Sequence, residues 1–164
     1  ALLKQLGYEA IAFSGKPEQS DKLKALGASE ILHRDSLLEV KDALAGKPTW
    51  AHAIDTLGGD YLTGLLKQLK PGGGVASVGL AASADIAMSV IPFITRGISL
   101  LGVDSVYIPL EDKKHIWQRV ATDMKLPNLD SYQQEITLSQ TPEYLDKFLQ
   151  GKVVGRYVVN VKEA

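Results

Sequence analysis

The sequence predicts an α/β protein built on a doubly wound parallel sheet, and three observations support this fold class. Short apolar segments without polar alternation recur along the chain, as in strands that are buried on both faces. Amphipathic segments with helical spacing separate them. Glycine or proline marks most of the junctions. Right-handed crossovers in such a fold place a ligand at the carboxyl ends of the strands.

Six segments are predicted as strands, because each is short, mostly apolar and bounded by polar or glycine-containing turns. In chain order they are EAIAF (9–13), EIL (30–32), HAIDT (52–56), GVASVG (74–79), ISLLGV (98–103) and YVVNV (157–161).

The predicted helices lie between these strands. Ser36 and Glu39 form a capping box before LLEVKDAL (37–44), and Pro142 stands at the first position of the last helix. Gly7 and Gly27 end the first two helices. The apolar positions at helical spacing are Leu2, Leu3 and Leu6; Leu23 and Leu26; Leu62, Leu65, Leu66 and Leu69; and Ile116, Val120 and Met124.

A dinucleotide-binding sheet of this Rossmann-like class begins with a strand and a glycine-rich turn, and neither precedes the first predicted helix. In the usual strand order, 3-2-1-4-5-6, the segments at 9–13 and 52–56 would flank the place of that first strand. Unpaired backbone groups at the centre of a sheet are costly. We therefore expect the chain to be a piece of a longer protein, or to receive the missing strand from another chain.

The turn after the second strand of such a sheet selects the cofactor. An NAD site carries an acidic residue there to bind the ribose 2′-hydroxyl. Here the turn is Ser14-Gly15-Lys16, no acid appears before Glu18, and Arg34 follows the next strand. A hydroxyl, an accessible glycine backbone and two cations suit a 2′-phosphate, so they favour NADP(H). The alternative for Lys16 is an exposed turn with a solvated side chain.

Composition narrows the classes of partner. The net charge of −1 over 164 residues gives no electrostatic basis for binding nucleic acid or a membrane surface. No apolar run approaches the roughly 20 residues of a membrane span. The chain has no cysteine, and its three histidines show no metal-ligand spacing, so we expect no metal site. A cytoplasmic location is predicted, although the lack of cysteine is equally compatible with secretion.

Seven motifs distributed over the whole chain carry a resemblance to a known family. They are AFSGK, LGASEIL-RD, W-HAIDTLGG, GG-VASVGLA, PFITRGISLLGVDSV, IWQR and GRYVVNV. Together they resemble the zinc-independent, quinone-oxidoreductase-like branch of the medium-chain dehydrogenase/reductase superfamily, in particular its acryloyl-CoA reductase subfamily. The resemblance implies NADPH-dependent reduction of the C=C bond of acryloyl-CoA, or of a related enoyl or quinone substrate.

The same resemblance implies a domain organisation. Residues 1–135 would be an NADP-binding domain without its first strand and glycine-rich turn, and residues 136–164 a strand-helix-strand segment returning toward an absent catalytic lobe. Members of the family are homodimers, and the sixth strand, ISLLGV, is their dimer edge. The present chain alone is expected to be inactive.

The resemblance also implies roles for particular residues. Lys16 stands where arginine is common, so it would bind phosphate without bidentate geometry. No catalytic residue is assigned. The implied cofactor-binding positions are the 2′-phosphate corner, Ser14, Gly15, Lys16 and Arg34; the turn after the fifth strand, Gly79 and Leu80; the nicotinamide end, Ile94 and Ser105; and the C-terminal Arg156.

Three of these residues have a simpler interpretation. Ser105 could cap the backbone, Ile94 could belong to the core, and Gly79 could be a turn glycine without a ligand. Asp55 could be a catalytic acid, but a buried aspartate bonded to the backbone is favoured. For the whole chain, the alternatives are a non-catalytic NADPH-binding module and an S-adenosylmethionine methyltransferase, the latter because of LKPGGGVASVG.

Overall fold

The structure is a computed structural model, and it describes residues 1–127 and 133–163. Its α-helices are α1 (Leu2–Gln5), α2 (Ser20–Ala25), α3 (Gly59–Lys67), α4 (Ile91–Arg96), α5 (Leu110–Ala121) and α6 (Thr141–Leu149). Shorter 3-10 helices span Pro17–Gln19 and Arg34–Val40. Its strands are β1 (Ile11–Ser14), β2 (Glu30–His33), β3 (Trp50–Asp55), β4 (Leu69–Ser77), β5 (Ser99–Gly102), β6 (Gln133–Thr137) and β7 (Arg156–Asn160).

Every strand pair in the described residues is parallel, as the apolar strands predicted. The pairs form three sheets, with the strand orders β1-β2, β3-β4-β5 and β6-β7. β1 and β3 lie in different sheets, and the order 3-2-1-4-5-6 leaves the first strand's place between them. The predicted α/β fold class with parallel sheets is confirmed.

The chain divides into two compact units, Ala1–Lys114 and His115–Ala164. The first unit holds the sheets β1-β2 and β3-β4-β5, and the second holds β6-β7. The functional ranges predicted from the sequence, 1–135 and 136–164, include residues 128–132 and 164, which lie outside the described residues. That division stays a prediction.

The core of the first unit forms around α3. Leu62, Leu65 and Leu66 recur at helical spacing, and each is at most 5% exposed. The predicted stripe is therefore correct, but the helix ends at Lys67 and Leu69 already belongs to β4. The remaining buried members of this core are Leu37, Leu69, Val75 and Ile98.

The predicted capping box at Ser36 and Glu39 is wrong. Residues 34–40 form a 3-10 helix that begins after His33, and the Ser36 hydroxyl donates to the His33 carbonyl oxygen at 2.7 Å. Tertiary packing explains the difference. A Cβ at Gly64 of α3 would lie 2.1 Å from the carbonyl oxygen of Leu37, so this segment packs directly on the α3 backbone. Such close packing overrides a local helix signal.

The sequence patterns did not indicate α4 or β6, and they extended α5 beyond its observed end. α4 is a short helix in PFITRG, with Pro92 in its first turn. β6 is mostly polar and exposed, and Ile136 is its one buried residue, so it lacks an apolar strand signal. α5 ends at Ala121, so Met124, which was predicted to belong to this helix, lies beyond its end.

Candidate functional site

The carboxyl ends of β1 and β2 bring together residues that are distant in sequence. Ser14 pairs in register with His33, so the turn after β1 and Arg34 lie side by side. Gly15 is the contact point, because a Cβ there would lie 2.9 Å from Nε of Arg34 and 3.1 Å from its Cζ. We call Ser14, Gly15, Lys16 and Arg34 the β1–β2 corner. Its four members were predicted as one group from the sequence.

The turn within the β1–β2 corner is held by its own serine. The Lys16 amide donates to Oγ of Ser14 at 3.0 Å, which closes a short side-chain turn. Pro17 then begins a 3-10 helix. The backbone of Gly15 is consequently presented at the end of the strand, with the Arg34 side chain lying across it.

Arg34 has two further neighbours that the sequence did not point to. Its guanidinium carbon lies 5.5 Å from the centre of the Tyr61 ring, and its Nε lies 3.7 Å from Oδ1 of Asp35. The Tyr61 hydroxyl donates to the same Asp35 oxygen at 2.8 Å. This hydrogen bond raises the pKa of Tyr61 above its usual value, and the charge of Arg34 opposes the change. Tyr61 lies in the first turn of α3, and no sequence pattern indicated its contacts with Arg34 and Asp35.

A second site feature lies where β3 and β4 end. Asp55 is 3% exposed, and its Oδ1 accepts from the amides of Leu57 and Gly58, each at 3.1 Å. Ser77 Oγ lies 3.5 Å from the other carboxylate oxygen. Asp55 is thus the buried, backbone-bonded aspartate that was favoured over a catalytic acid.

Two glycines allow the turns after β3 and β4 to approach each other closely. Gly58 has φ +69°, and a Cβ there would lie 2.1 Å from the Ser83 carbonyl oxygen. A Cβ at Gly79 would lie 2.8 Å from the Thr56 carbonyl oxygen. Side chains at either position would force these turns apart, so the glycines set the shape of this edge.

An open cleft of about 450 Å³ lies at this edge, and we call it the β3–β4 cleft. The predicted residues Gly79 and Leu80 both line it. The rest of its lining comes from α3, from the ends of β4 and β5 and from the turns after β3, β4 and β5: Gly58, Leu62, Ser77, Val78, Ser83, Ala84, Ile86, Gly102, Val103 and Asp104.

The two residues predicted at the nicotinamide end are not part of the lining of this cleft. Ile94 lies on α4 and is 76% exposed, so the core interpretation of this residue does not hold in the described structure. Ser105 follows Asp104, whose Oδ1 accepts from the amides of Val106 and Tyr107 at 2.8 and 2.9 Å. These backbone bonds hold the pKa of Asp104 below its usual value. Asp104 thus satisfies the backbone donors that follow Ser105, and the role implied for Ser105 stays a prediction.

Arg156 is the first residue of β7 and pairs in register with Gln133 of β6. It belongs to the second compact unit, whereas the β1–β2 corner and the β3–β4 cleft belong to the first. Its implied place near a cofactor or substrate stays a prediction.

Within residues 1–127 and 133–163, the described part of the chain, there is neither a candidate metal site nor a candidate membrane span. No group of three or more histidine, cysteine, aspartate or glutamate side chains there is placed to hold a metal ion. In the same ranges, no helix is long and apolar enough to cross a membrane.

Parallel strands with tight glycine turns and a cleft at their carboxyl ends define a Rossmann-like α/β domain. Residues 1–122 match the family described as zinc-binding dehydrogenase. The chain therefore belongs to this family, within the medium-chain dehydrogenase/reductase superfamily, and represents the cofactor-domain part of its members.

Three relatives show how far the similarity extends. An acrylyl-CoA reductase of Ruegeria pomeroyi is 41% identical over 161 residues, which are 98% of this chain and 49% of that protein. The crystal structure of Bacillus subtilis YhfP with NAD bound has a TM-score of 0.91 at 37% identity, covering 98% of this chain and 49% of that one. The structure of Escherichia coli YhdH with bound NADPH has a TM-score of 0.88 at 39% identity, covering 96% and 48%. The chain spans about half the length of these relatives.

Proposed function

We propose that this chain is the cofactor-binding part of an NADPH-dependent oxidoreductase that reduces an activated C=C bond. The substrate class is acryloyl-CoA or a related enoyl or quinone compound. Family membership supports the oxidoreductase class. The name of the Ruegeria relative, an acrylyl-CoA reductase, supports the enoyl thioester, and the name of YhfP, a putative quinone oxidoreductase, supports the wider range.

The observation that carries the choice of NADPH is the contact between Gly15 and Arg34 in the β1–β2 corner. It places a guanidinium beside the turn in which an NAD-selective enzyme carries an acid. The Ser14 hydroxyl, the Gly15 backbone and the cations Lys16 and Arg34 form a donor set that fits a 2′-phosphate. Asp35 is the acid beside this set, and its Oδ1 is engaged by the Tyr61 hydroxyl.

Each predicted cofactor-binding position receives a proposed role in the binding of NADPH. Ser14, Gly15, Lys16 and Arg34 would bind the adenine-ribose end, and the backbone at Gly79 and Leu80 would border the cofactor in the β3–β4 cleft. Ile94, Ser105 and Arg156 would lie toward the nicotinamide or substrate. NADPH, when bound, supplies the hydride for reduction of the C=C bond. This chain's own contribution is to bind and orient the cofactor, and we assign it no catalytic residue and expect no activity from it alone.

Two measurements on the full-length protein test this function. NADPH consumption should require acryloyl-CoA or another activated enone, and titration should give tighter binding of NADPH than of NADH. NADH is the informative competitor, because the YhfP structure contains NAD. Binding of NADPH without turnover of any enone would indicate the non-catalytic module. Binding of S-adenosylmethionine in place of NADPH would indicate the methyltransferase, which family membership disfavours.

We further propose a homodimer that pairs the β5 edges of two copies. β5 is an outer strand of the sheet β3-β4-β5, and Leu101 in it and Val103 just after it are 57% and 48% exposed. An apolar edge strand of this kind invites pairing with another strand. Sedimentation of the full-length protein as a monomer at micromolar concentration would contradict this arrangement.

We also propose that the chemistry is independent of zinc, that the protein is cytoplasmic, and that the boundary between the NADP-binding domain and the C-terminal segment lies between residues 135 and 136.

A further inference from the structure

Tyr61 connects α3 to the β1–β2 corner. Its ring packs against the hydrophobic core of the first unit, and this packing holds the ring in place. Its outer face carries the Arg34 guanidinium at 5.5 Å, and its hydroxyl donates to Asp35 at 2.8 Å. The tyrosine thus contacts both members of the Arg34–Asp35 pair through different parts of its side chain.

Arg34 would otherwise have considerable freedom. Its side chain is 45% exposed, and its ion pair with Asp35 is long, at 3.7 Å between Nε and Oδ1. Exposed ion pairs of this kind contribute little, because water screens them and ordering the long side chain costs entropy. The aromatic face and the bare Gly15 backbone are the two surfaces against which the guanidinium lies.

We propose that Tyr61 is a positioning residue that sets the orientation of Arg34 and thereby determines selectivity for NADPH over NADH. The inference rests on the proposed function, because Arg34 is assigned to the 2′-phosphate only there. A guanidinium binds phosphate well when its plane is fixed, since two parallel N–H donors must then meet two oxygens. The Tyr61 ring, whose centre lies 5.5 Å from the guanidinium carbon, limits the orientations of Arg34 before the phosphate arrives, which lowers the entropy cost of binding. The Tyr61 hydroxyl meanwhile holds Asp35 by its Oδ1.

A purely structural role for Tyr61 makes a different prediction. If the ring served only the core, its loss would weaken the whole domain and lower the affinity for both cofactors equally. If the ring positions Arg34, its loss acts on the 2′-phosphate alone. The distinguishing quantity is therefore the ratio of two affinities.

The experiment uses the full-length protein and two small probes, adenosine 2′,5′-bisphosphate and adenosine 5′-monophosphate, measured by calorimetry together with NADPH and NADH. Tyr61→Leu removes the ring face and should weaken binding of NADPH and of the bisphosphate about fivefold, the scale of a cation–π contact. Binding of NADH and of the monophosphate should stay within about twofold. Tyr61→Phe keeps the ring and should retain most of the selectivity, within about twofold of the parent protein. Tyr8→Leu, which removes the ring of an exposed tyrosine before β1, is the matched control.

A double-mutant cycle with Arg34→Ala separates the two proposals. Once Arg34 is absent, adding Tyr61→Leu should cause no further selective loss of bisphosphate affinity. A selective loss in Arg34→Ala with an unselective loss in Tyr61→Leu would overturn the role of Tyr61 and leave the proposed cofactor intact. An unselective effect of Arg34→Ala itself would overturn both. A selective loss from Tyr61→Leu that persists unchanged in the Arg34→Ala background would also contradict positioning through Arg34.

Discussion

The backbone amide of Gly58 lies 3.1 Å from each carboxylate oxygen of Asp55. The carboxylate is buried and also accepts from the Leu57 amide, so it satisfies donors in the turn between β3 and α3. A carboxylate that bonds to its own turn and to Ser77, beside the cleft that the glycine turns shape, stabilises structure. These hydrogen bonds explain the burial of the Asp55 carboxylate without a catalytic role.

Asp55→Ala should therefore lower the stability of the full-length protein by about 2–4 kcal/mol, because two amides lose a charged acceptor and one of them is buried. Asp55→Asn keeps one oxygen acceptor and should cost about half as much. Urea denaturation followed by circular dichroism measures both. Asp123→Ala, which removes an exposed aspartate paired with Arg119 on α5, is the control and should cost under about 1 kcal/mol. Parent-like stability of Asp55→Asn together with lost turnover would instead favour the catalytic acid.

Gly58→Ala and Gly72→Ala compare a crowded glycine with an open one. Both glycines have positive φ, +69° and +76°, so alanine is strained at each, and more so at Gly58, whose ψ of −162° belongs to a region that is almost restricted to glycine. Only at Gly58 would the new Cβ meet an atom, the Ser83 carbonyl oxygen at 2.1 Å, whereas nothing lies within 4 Å at Gly72.

We expect Gly72→Ala to be tolerated, and Gly58→Ala to lose at least about 2 kcal/mol of stability and to weaken binding of NADPH and NADH alike. Thermal denaturation and cofactor titration of the two variants check this. Equal stability of the two variants would show that the turn after β3 can move away from Ser83 without cost.

The parallel fold and the β1–β2 corner could be predicted from the sequence for two different reasons. The period of Leu62, Leu65 and Leu66 is a local pattern, and the bonds of Asp55 are local too, since they run to residues two and three positions along the chain. Ser14 and Arg34 are distant in sequence, and the general rule that parallel strands end at one edge of the sheet placed them together.

The errors and omissions involve contacts between distant segments. The capping box at Ser36 gave way to packing between Leu37 and Gly64, a contact with no local signature. Tyr61 meets Asp35 across 26 residues, and no spacing rule relates them. The polar strand β6 is ordered by pairing with β7, because its own residues offer little apolar surface.

Arg96 joins three segments of the first unit and offers a separate test of its stability. Its guanidinium donates to the carbonyl oxygens of Lys67 at 2.9 Å, Leu69 at 3.2 Å and Gly46 at 2.7 Å. These bonds supply partners at the end of α3, where carbonyl groups lack them within the helix. Arg96→Met keeps much of the side-chain volume and should cost about 2–3 kcal/mol in urea denaturation. Arg119→Met on the exposed face of α5 should cost under about 1 kcal/mol, and an equal effect of the two would contradict the role of Arg96.

The β1–β2 corner gives the most direct prediction about the cofactor. Lys16→Ala combined with Arg34→Ala in the full-length protein removes both cations from the proposed 2′-phosphate site. Each charge-assisted contact contributes about 1.5–3 kcal/mol, so loss of both should lower NADPH affinity at least about 100-fold. NADH lacks the phosphate, and its affinity should change less than about threefold.

Net charge alone could shift the affinity of an anionic ligand, so the control must remove the same charge elsewhere. Lys114→Ala with Arg119→Ala does so on α5, where both side chains form exposed ion pairs with Glu111 and Asp123. This control should leave both affinities near those of the parent protein. Equal losses of NADPH and NADH affinity in the corner variant would show that the corner does not bind the 2′-phosphate. An equally large loss of NADPH affinity in the control variant would show the same. A selective loss confined to the corner variant is the outcome that the contact between Gly15 and Arg34 predicts.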